Sequence, residues 1–299
     1  MIFRYFIFLV FSLLLSTTVV SQSTNNAKSI KKEKKKKRKK KKYRVPKIDL
    51  SHWKVTLPIA NEKGKPFEIE PPEINNFATI EEAKPYMYID STRGAIVFHA
   101  MPTQTTTKNT KYSRSELREQ MKPGDNRVNW KFSDGGNLKA KIAIDDISRK
   151  KDGKYHKTII LQIHGRLSNE QRDLIGEDDN NAPPMLKIYW QNGKIRVKTK
   201  QLKKLNASST EILHEDAWTD DKGHTFKEKV GFGKFTLEVK VSKGKMVVIL
   251  NNNEFKVYKN IHMEKWDVFE NYFKAGNYFQ SRDKGSYAKV RFYKLEVSH

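Results

Sequence analysis

Tyr272-Phe273-Lys274-Ala275-Gly276-Asn277-Tyr278-Phe279-Gln280 is the stretch whose reading decides how the rest of the chain is understood. Successive side chains of a β-strand point to opposite faces, so Tyr272, Lys274, Gly276, Tyr278 and Gln280 share one side and Phe273, Ala275, Asn277 and Phe279 the other. The second set is mostly apolar and reads as core. The first places a cation, a glycine that exposes backbone, a phenol and an amide along one line, whereas a merely solvated face carries scattered Lys, Glu and Thr. We read it as a binding surface; an ordinary outer face of a sandwich is the plain alternative.

Working outward, short runs with β-branched and aromatic residues recur between turn signals. They cover 94–101, 138–144, 158–164, 185–190, 194–200, 234–241, 246–250, 255–258, 272–280 and 287–297, and an opening run at 48–58 ends in Pro58. Gln191-Asn192-Gly193-Lys194 has the Asn-Gly pair that tolerates the positive φ angles of a two-residue type I′ hairpin, and Ser242-Lys243-Gly244-Lys245 is a second two-residue turn. Helical periodicity is weak, with short candidates at 80–83 and 264–269. Many short alternating strands predict an all-β fold, a jelly roll or sandwich of two antiparallel sheets. The connections 102–111 and 165–184 are long enough for binding loops or lids, with variable surface padding as the alternative.

The chain has 299 residues, no cysteine and a net charge of +25. Without cysteine, disulfides, thiolate catalysis and cysteine zinc sites are excluded. Arg4, the apolar run 5–15 and the small residues before Ser21 predict a secretory signal peptide over 1–21, hence a secreted, extracellular protein. Residues 22–44 read as a disordered lysine-rich linker: 27–44 holds thirteen Lys and Arg against Glu33 alone. Behind an export signal, tethering to an anionic matrix or cell surface is the expected use of that arm. Residues 45–299 are expected to form one domain, monomeric and still basic, which favours a polyanionic partner.

Three constellations bear chemistry. In 111–120, Tyr112, Arg114, Glu116, Arg118 and Gln120 project to one side, with the two guanidiniums about 7 Å apart from a rise of about 3.3 Å per residue. That spacing suits bidentate capture of carboxylates on a repeating polymer, and Glu116 is placed to pair with both arginines. In 158–166, Ile159, Leu161 and Ile163 are expected to point one way, and Ile160, Gln162, His164 and Arg166 the other. A lone histidine in a sandwich is more often structural, but His164 stands two residues from an amide donor and titrates near neutrality when unperturbed. The third is the opening stretch, where Lys274 is the expected positive neighbour of the Tyr278 phenol.

Together Arg114, Gln162, His164 and Tyr278 supply what β-elimination from a uronate needs. Donors neutralise the carboxylate beside C5, a base takes the C5 proton, and an acid protonates the leaving O4. No cofactor is called for, and no histidine cluster has metal-ligand spacing, His156 and His164 lying eight apart. Hydrolysis would want two inward carboxylates, and these faces supply Glu116 alone.

The blocks Arg114-Ser115-Glu116-Leu117-Arg118-Glu119, Gln162-Ile163-His164 and the opening stretch, in that order, resemble the signature blocks of the alginate lyases of polysaccharide lyase family seven. Ser51-His52-Trp53-Lys54-Val55-Thr56-Leu57-Pro58 is similar to that family's first strand. The resemblance implies a β-jelly roll with a concave substrate cleft, and endolytic cleavage of alginate into unsaturated oligosaccharides. Carried residue by residue, it implies that Arg114 and Gln162, helped by His164, neutralise the carboxylate. His164 is then the base, and Tyr278 the acid and, for mannuronate, also the base. Arg118, Lys274 and Gln280 match positions that bind neighbouring sugars, and Glu116 and Arg166 are grouped with them. Isoleucine between the glutamine and the histidine leans towards guluronate-containing blocks. The lysine arm departs from the family pattern.

Two other readings compete. A non-catalytic, lectin-like module on the same fold explains a basic aromatic face but needs no histidine, phenol and amide on facing strands. A nucleic-acid-binding protein explains the lysine run, but the interleaved aromatic pattern of a base-stacking surface is absent, so no nucleic acid partner is expected.

Overall fold

The computed structural model describes residues 43–106 and 110–299. The expected signal peptide and all but the last two residues of the lysine-rich linker lie outside the described residues. Within them are sixteen strands and two short α-helices: β1 (Trp53–Ala60), β2 (Pro66–Ile69), β3 (Met87–Asp90), β4 (Ala95–Ala100), β5 (Arg114–Glu119), β6 (Gly136–Ile147), β7 (Lys157–Arg166), α1 (Asn169–Ile175), β8 (Asn181–Gln191), β9 (Lys194–Leu202), β10 (Trp218–Asp220), β11 (His224–Lys229), β12 (Phe235–Ser242), β13 (Lys245–Leu250), β14 (Glu254–Tyr258), α2 (Ile261–Lys265), β15 (Glu270–Phe279) and β16 (Ala288–Ser298). They form two antiparallel sheets packed as a jelly roll. One runs β10-β9-β8-β7-β15-β5-β1-β2, with β11 also paired to β9; the other runs β14-β13-β12-β6-β16-β4-β3.

The core between the sheets is built from the apolar halves of alternating strands, among them Val55, Leu57, Leu117, Ile142, Phe273 and Phe292, with Trp130 and Trp266 fully buried. The Asn192-Gly193 hairpin has φ angles of 50° and 82°, as type I′ geometry demands, while in the second hairpin only Gly244 has positive φ. Asn277, on the core side of β15, joins the sheets. Its amide donates to Phe98 O on β4 (3.1 Å) and Ala288 O on β16 (2.6 Å), and its oxygen accepts from Thr158 on β7 (2.6 Å).

Several expectations need correction. Residues 80–83 form a turn, not a helix, and the 3-10 helix Glu73–Thr79 precedes them. The second helical candidate is real but shifted, α2 continuing into a 3-10 turn over Trp266–Val268. The connection 165–184 is not loop throughout: it contains α1, capped by Ser168 and Gln171 reciprocally and stopped by Gly176 at φ 69°. The Ser168-x-x-Gln171 capping box was the available signal. On β7 the expected alternation breaks, because the pairing to β8 shifts register between Ile159 and Leu161. Ile160 therefore joins Leu161 and Ile163 in the core, and Ile159 turns to the opposite face.

Gly276 marks where β15 and β5 come closest. Its φ is 144°, and a Cβ there would lie 2.7 Å from Ser115 O and 2.8 Å from the Cα of Glu116. Only glycine fits without moving the neighbouring strand. Gly276→Ala is therefore expected to lower unfolding stability by about 2–4 kcal/mol, read as a lower urea midpoint at unchanged slope.

Candidate active site

A cleft of about 650 Å³ opens on the outer face of the nine-stranded sheet, over β5, β15 and β7. Pairing fixes which side chains meet. Lys274 lies opposite Arg118 on one side and Gln162 on the other, Tyr272 opposite His164, and Tyr278 opposite Arg114 and Ile159. Of the residues singled out from sequence, Arg114, Arg118, Gln162, His164, Arg166, Lys274, Tyr278 and Gln280 all line this one cleft.

Glu116 behaves otherwise. Its side chain is fully shielded beneath the floor, where it accepts from Arg114 Nη1 (3.2 Å), Gln162 Nε2 (2.6 Å) and Lys274 Nζ (2.7 Å). It is thus a floor residue held by β5, β7 and β15, not a lining one. The expected pairing with both arginines is half right. Arg118 is fixed instead by Glu119 O (2.6 Å), Asn126 O (2.9 Å) and Asn129 Oδ1 (2.8 Å), and its guanidinium stacks 4.1 Å above the Tyr272 ring.

The imidazole of His164 also stacks on the Tyr272 ring, with 5.3 Å between centroids and 14° between planes. Its Nδ1 lies 3.0 Å from Gly165 O; because a carbonyl oxygen only accepts, Nδ1 carries the hydrogen and Nε2 keeps its lone pair. Desolvation, reinforced by the positive charges of Lys274, Arg114 and Arg118, pushes His164 down to about 3, so the ring is neutral at neutral pH. Gly165 permits this packing, since a Cβ there would stand 2.9 Å from the Trp266 ring and 3.0 Å from Pro183 O.

Desolvation raises the Tyr278 phenol above its ordinary range against the opposing pull of Arg114, so it keeps its proton. The cation beside it is Arg114, 4.1 Å from the ring centroid, and not Lys274 as the sequence suggested. Arg114 thus acts on both Tyr278 and His164. Its Nη2 is buried and has no hydrogen-bond partner among the described residues. Desolvation and the neighbouring Arg114 bring Lys274 down to about 8, although Glu116 opposes the shift. Three other cations of the cleft have carboxylate partners, Lys54 with Glu68 (2.6 Å), Arg166 with Glu270 (2.5 Å) and Lys187 with Asp220 (2.7 Å). Arg114 and Lys274 share one carboxylate, which leaves the centre of the floor positive.

Sequence reasoning missed Lys54, Thr56, Glu68, Ile159, Lys187, Tyr189 and Lys200, all of which line the cleft. The polar sides of β1, β8 and β9 alternate as clearly as those of the singled-out strands, and that period was the signal for most of them. Thr110 and Lys111 of the 102–111 connection, Tyr112 directly after it, and Asp179 and Asn180 of the 165–184 connection stand at the rim. Among the described residues no group of three His, Cys, Asp or Glu could hold a metal ion, and no helix is long and apolar enough to cross a membrane.

Comparison with known proteins points to one enzyme family. The alginate lyase of Klebsiella pneumoniae is 25% identical over 304 aligned positions, which cover 85% of this chain and 90% of that one. The crystal structure of alginate lyase A1-II′, described as a member of polysaccharide lyase family 7, is 30% identical, covers 84% of this chain and 96% of that one, and superposes with a TM-score of 0.66. A substituted form of the same enzyme, solved in complex with the substrate GGMG, is 29% identical over 84% of this chain and 94% of that one, at 0.65. The profile of the alginate lyase family matches residues 48–299, so the described fold with its cleft belongs to the alginate lyases of polysaccharide lyase family 7.

Proposed function

We propose that this chain is an exported enzyme that cleaves alginate by β-elimination in the cleft over β5, β15 and β7. The observation that carries the reading is the shared environment of His164 and Tyr278. A neutral imidazole with a free Nε2 and a protonated phenol line one cleft, both in the field of Arg114, whose Nη2 is unpaired. Arg114 Nη2 and the second N–H of Gln162 receive the uronate carboxylate; the help expected from His164 falls away, because its one N–H is spent on Gly165 O. With that charge quenched, Nε2 of His164 takes the proton from C5. The electron pair forms the C4–C5 double bond as the C4–O4 bond breaks, and the Tyr278 hydroxyl protonates O4. The arriving carboxylate also raises the basicity of an imidazole that the surrounding cations otherwise hold down. Arg118, Lys274, Gln280 and Arg166 bind the flanking sugars.

Guluronate-containing blocks are the proposed preference, and the family resemblance of Gln162-Ile163-His164 supports it. Ile163 is buried between the sheets, so any influence it has runs through the placement of its neighbours. Turnover measured separately on purified guluronate and mannuronate blocks tests this; equal rates would remove the preference. Export rests on the apolar run behind Arg4, and recovery of the chain from the medium checks it.

Replacing Tyr278 by phenylalanine keeps the ring against Arg114 but removes the proton. Turnover, followed by ultraviolet absorbance of the unsaturated product, is expected to fall about 10²–10⁴-fold with little change in KM. A near-normal rate would refute the acid role.

Lys274 is charged below its shifted pKa of about 8 and neutral above it, so kcat/KM is expected to decline as pH rises through that value. Because the Glu116 carboxylate holds the ammonium charged, Glu116→Gln should move this alkaline limb to lower pH. A limb that stays in place would show that Lys274 does not set it.

A further inference from the structure

Four cations on the outer face of the seven-stranded sheet have no part in the cleft. Lys141 stands on β6, Lys234 immediately precedes β12 and Arg93 lies in the turn between β3 and β4, all exposed. Arg44, also exposed, is tied to that same turn, its backbone N–H donating to Ser91 O at 2.8 Å. Lys234 Nζ sits 3.9 Å from the centroid of the Tyr293 ring on β16. These groups share one field: after desolvation, the charges of Lys141, Arg44 and Arg93 are what hold the Lys234 ammonium below its ordinary range. The neighbouring carboxylates cancel it only in part: Asp90 and Asp145 are both engaged by Arg291, which offsets one of their two charges and leaves the four cations in excess. Among the described residues none of the four cations has a carboxylate partner.

The arrangement has a direction. Its members follow the strand order β12-β6-β16-β4-β3, so the row crosses the strands at steps of about 4.8 Å. A flexible polymer with a carboxylate on every ring can meet cations spaced this way, and exposed Lys and Arg heads suit carboxylate oxygens. Tyr293 has one face taken by Lys234, which leaves a poor platform for a stacked base.

We propose that the outer face of the seven-stranded sheet is a second polyuronate-binding surface, centred on Tyr293, Lys234, Lys141, Arg93 and Arg44, which holds the polymer without cleaving it. The choice of a polyuronate rests on the cleavage reading given above. Because the surface lies on the sheet facing away from the cleft, it retains the enzyme on its polymer while a second stretch of chain enters the site.

The test uses the full chain with Tyr278→Phe, so that the polymer persists, run in native gels cast with alginate. Adding Lys141→Glu and Lys234→Glu is expected to raise the alginate concentration needed for half-retardation about tenfold, and Lys141→Gln with Lys234→Gln by less. The same pairs placed in the chain with Tyr278 intact should leave turnover on a short guluronate oligosaccharide unchanged, which also reports that the fold survives. Unaltered retardation in both pairs overturns the proposal. So does complete displacement of alginate by duplex DNA or by phosphatidylserine vesicles at equal charge, which would assign the surface to that partner. If the intact chain releases no unsaturated product yet charge reversal still weakens retardation, the cleavage reading fails and the surface stands.

Discussion

One carboxylate with no solvent contact holds the cleft floor together. Glu116 projects from β5 and accepts from an arginine on its own strand, a glutamine on β7 and a lysine on β15. Removing an ion from water costs several kcal/mol, and only close partners offset that cost. Glu116 has three. The same bonds orient the groups around it. An acceptor-only oxygen forces Gln162 to turn its NH₂ towards the floor, which fixes the amide's rotamer and leaves one N–H for the cleft. Arg114 spends Nη1 on Glu116 and keeps Nη2 free. The groups that face the cleft are therefore arranged from below, by a residue that does not reach it.

That arrangement requires the strands to come close, and Gly276 opposite Glu116 is where they do. The same segment displaces the pairing between β15 and β7 by one residue between Ala275 and Tyr278. The pairing to β5 is unbroken and sets Tyr278 opposite Arg114 and Lys274 opposite Arg118, while the shift on the β7 side brings Ile159 opposite Tyr278 and leaves Gln162 opposite Lys274. The phenol and the ammonium thus have different neighbours although they lie four residues apart on one face. Arg114 couples to the phenol, and Glu116 to the ammonium.

Period-two alternation made the two-sheet fold legible, because most strands bury one face and solvate the other, and Asn192-Gly193 announced its turn by chemistry alone. The three blocks likewise revealed most of the cleft floor. What escaped was non-local. Whether Glu116 pairs with Arg118 or Lys274 depends on which strand lies next to β5, and adjacent strands in the order β7-β15-β5 come from segments far apart in the sequence, β15 starting at Glu270 and β5 ending at Glu119. The reversal at Ile159 and Ile160 escaped for a related reason, since a bulge is defined by the partner strand and leaves no period of its own. The short strands β2, β3, β10 and β11 are too brief to show any alternation above their surroundings.

The side chain of Asn277 makes three buried hydrogen bonds. It bolts the central strand of the cleft floor to two strands of the opposite sheet and to β7, so the floor has no independent freedom to flex or melt. Accommodation of chains that differ in sugar sequence then falls to the rim, where Tyr112, Asp179 and Asn180 stand on irregular segments. The catalyst is a rigid anvil with an adjustable edge, and inactivation by heat should coincide with collapse of the whole sandwich.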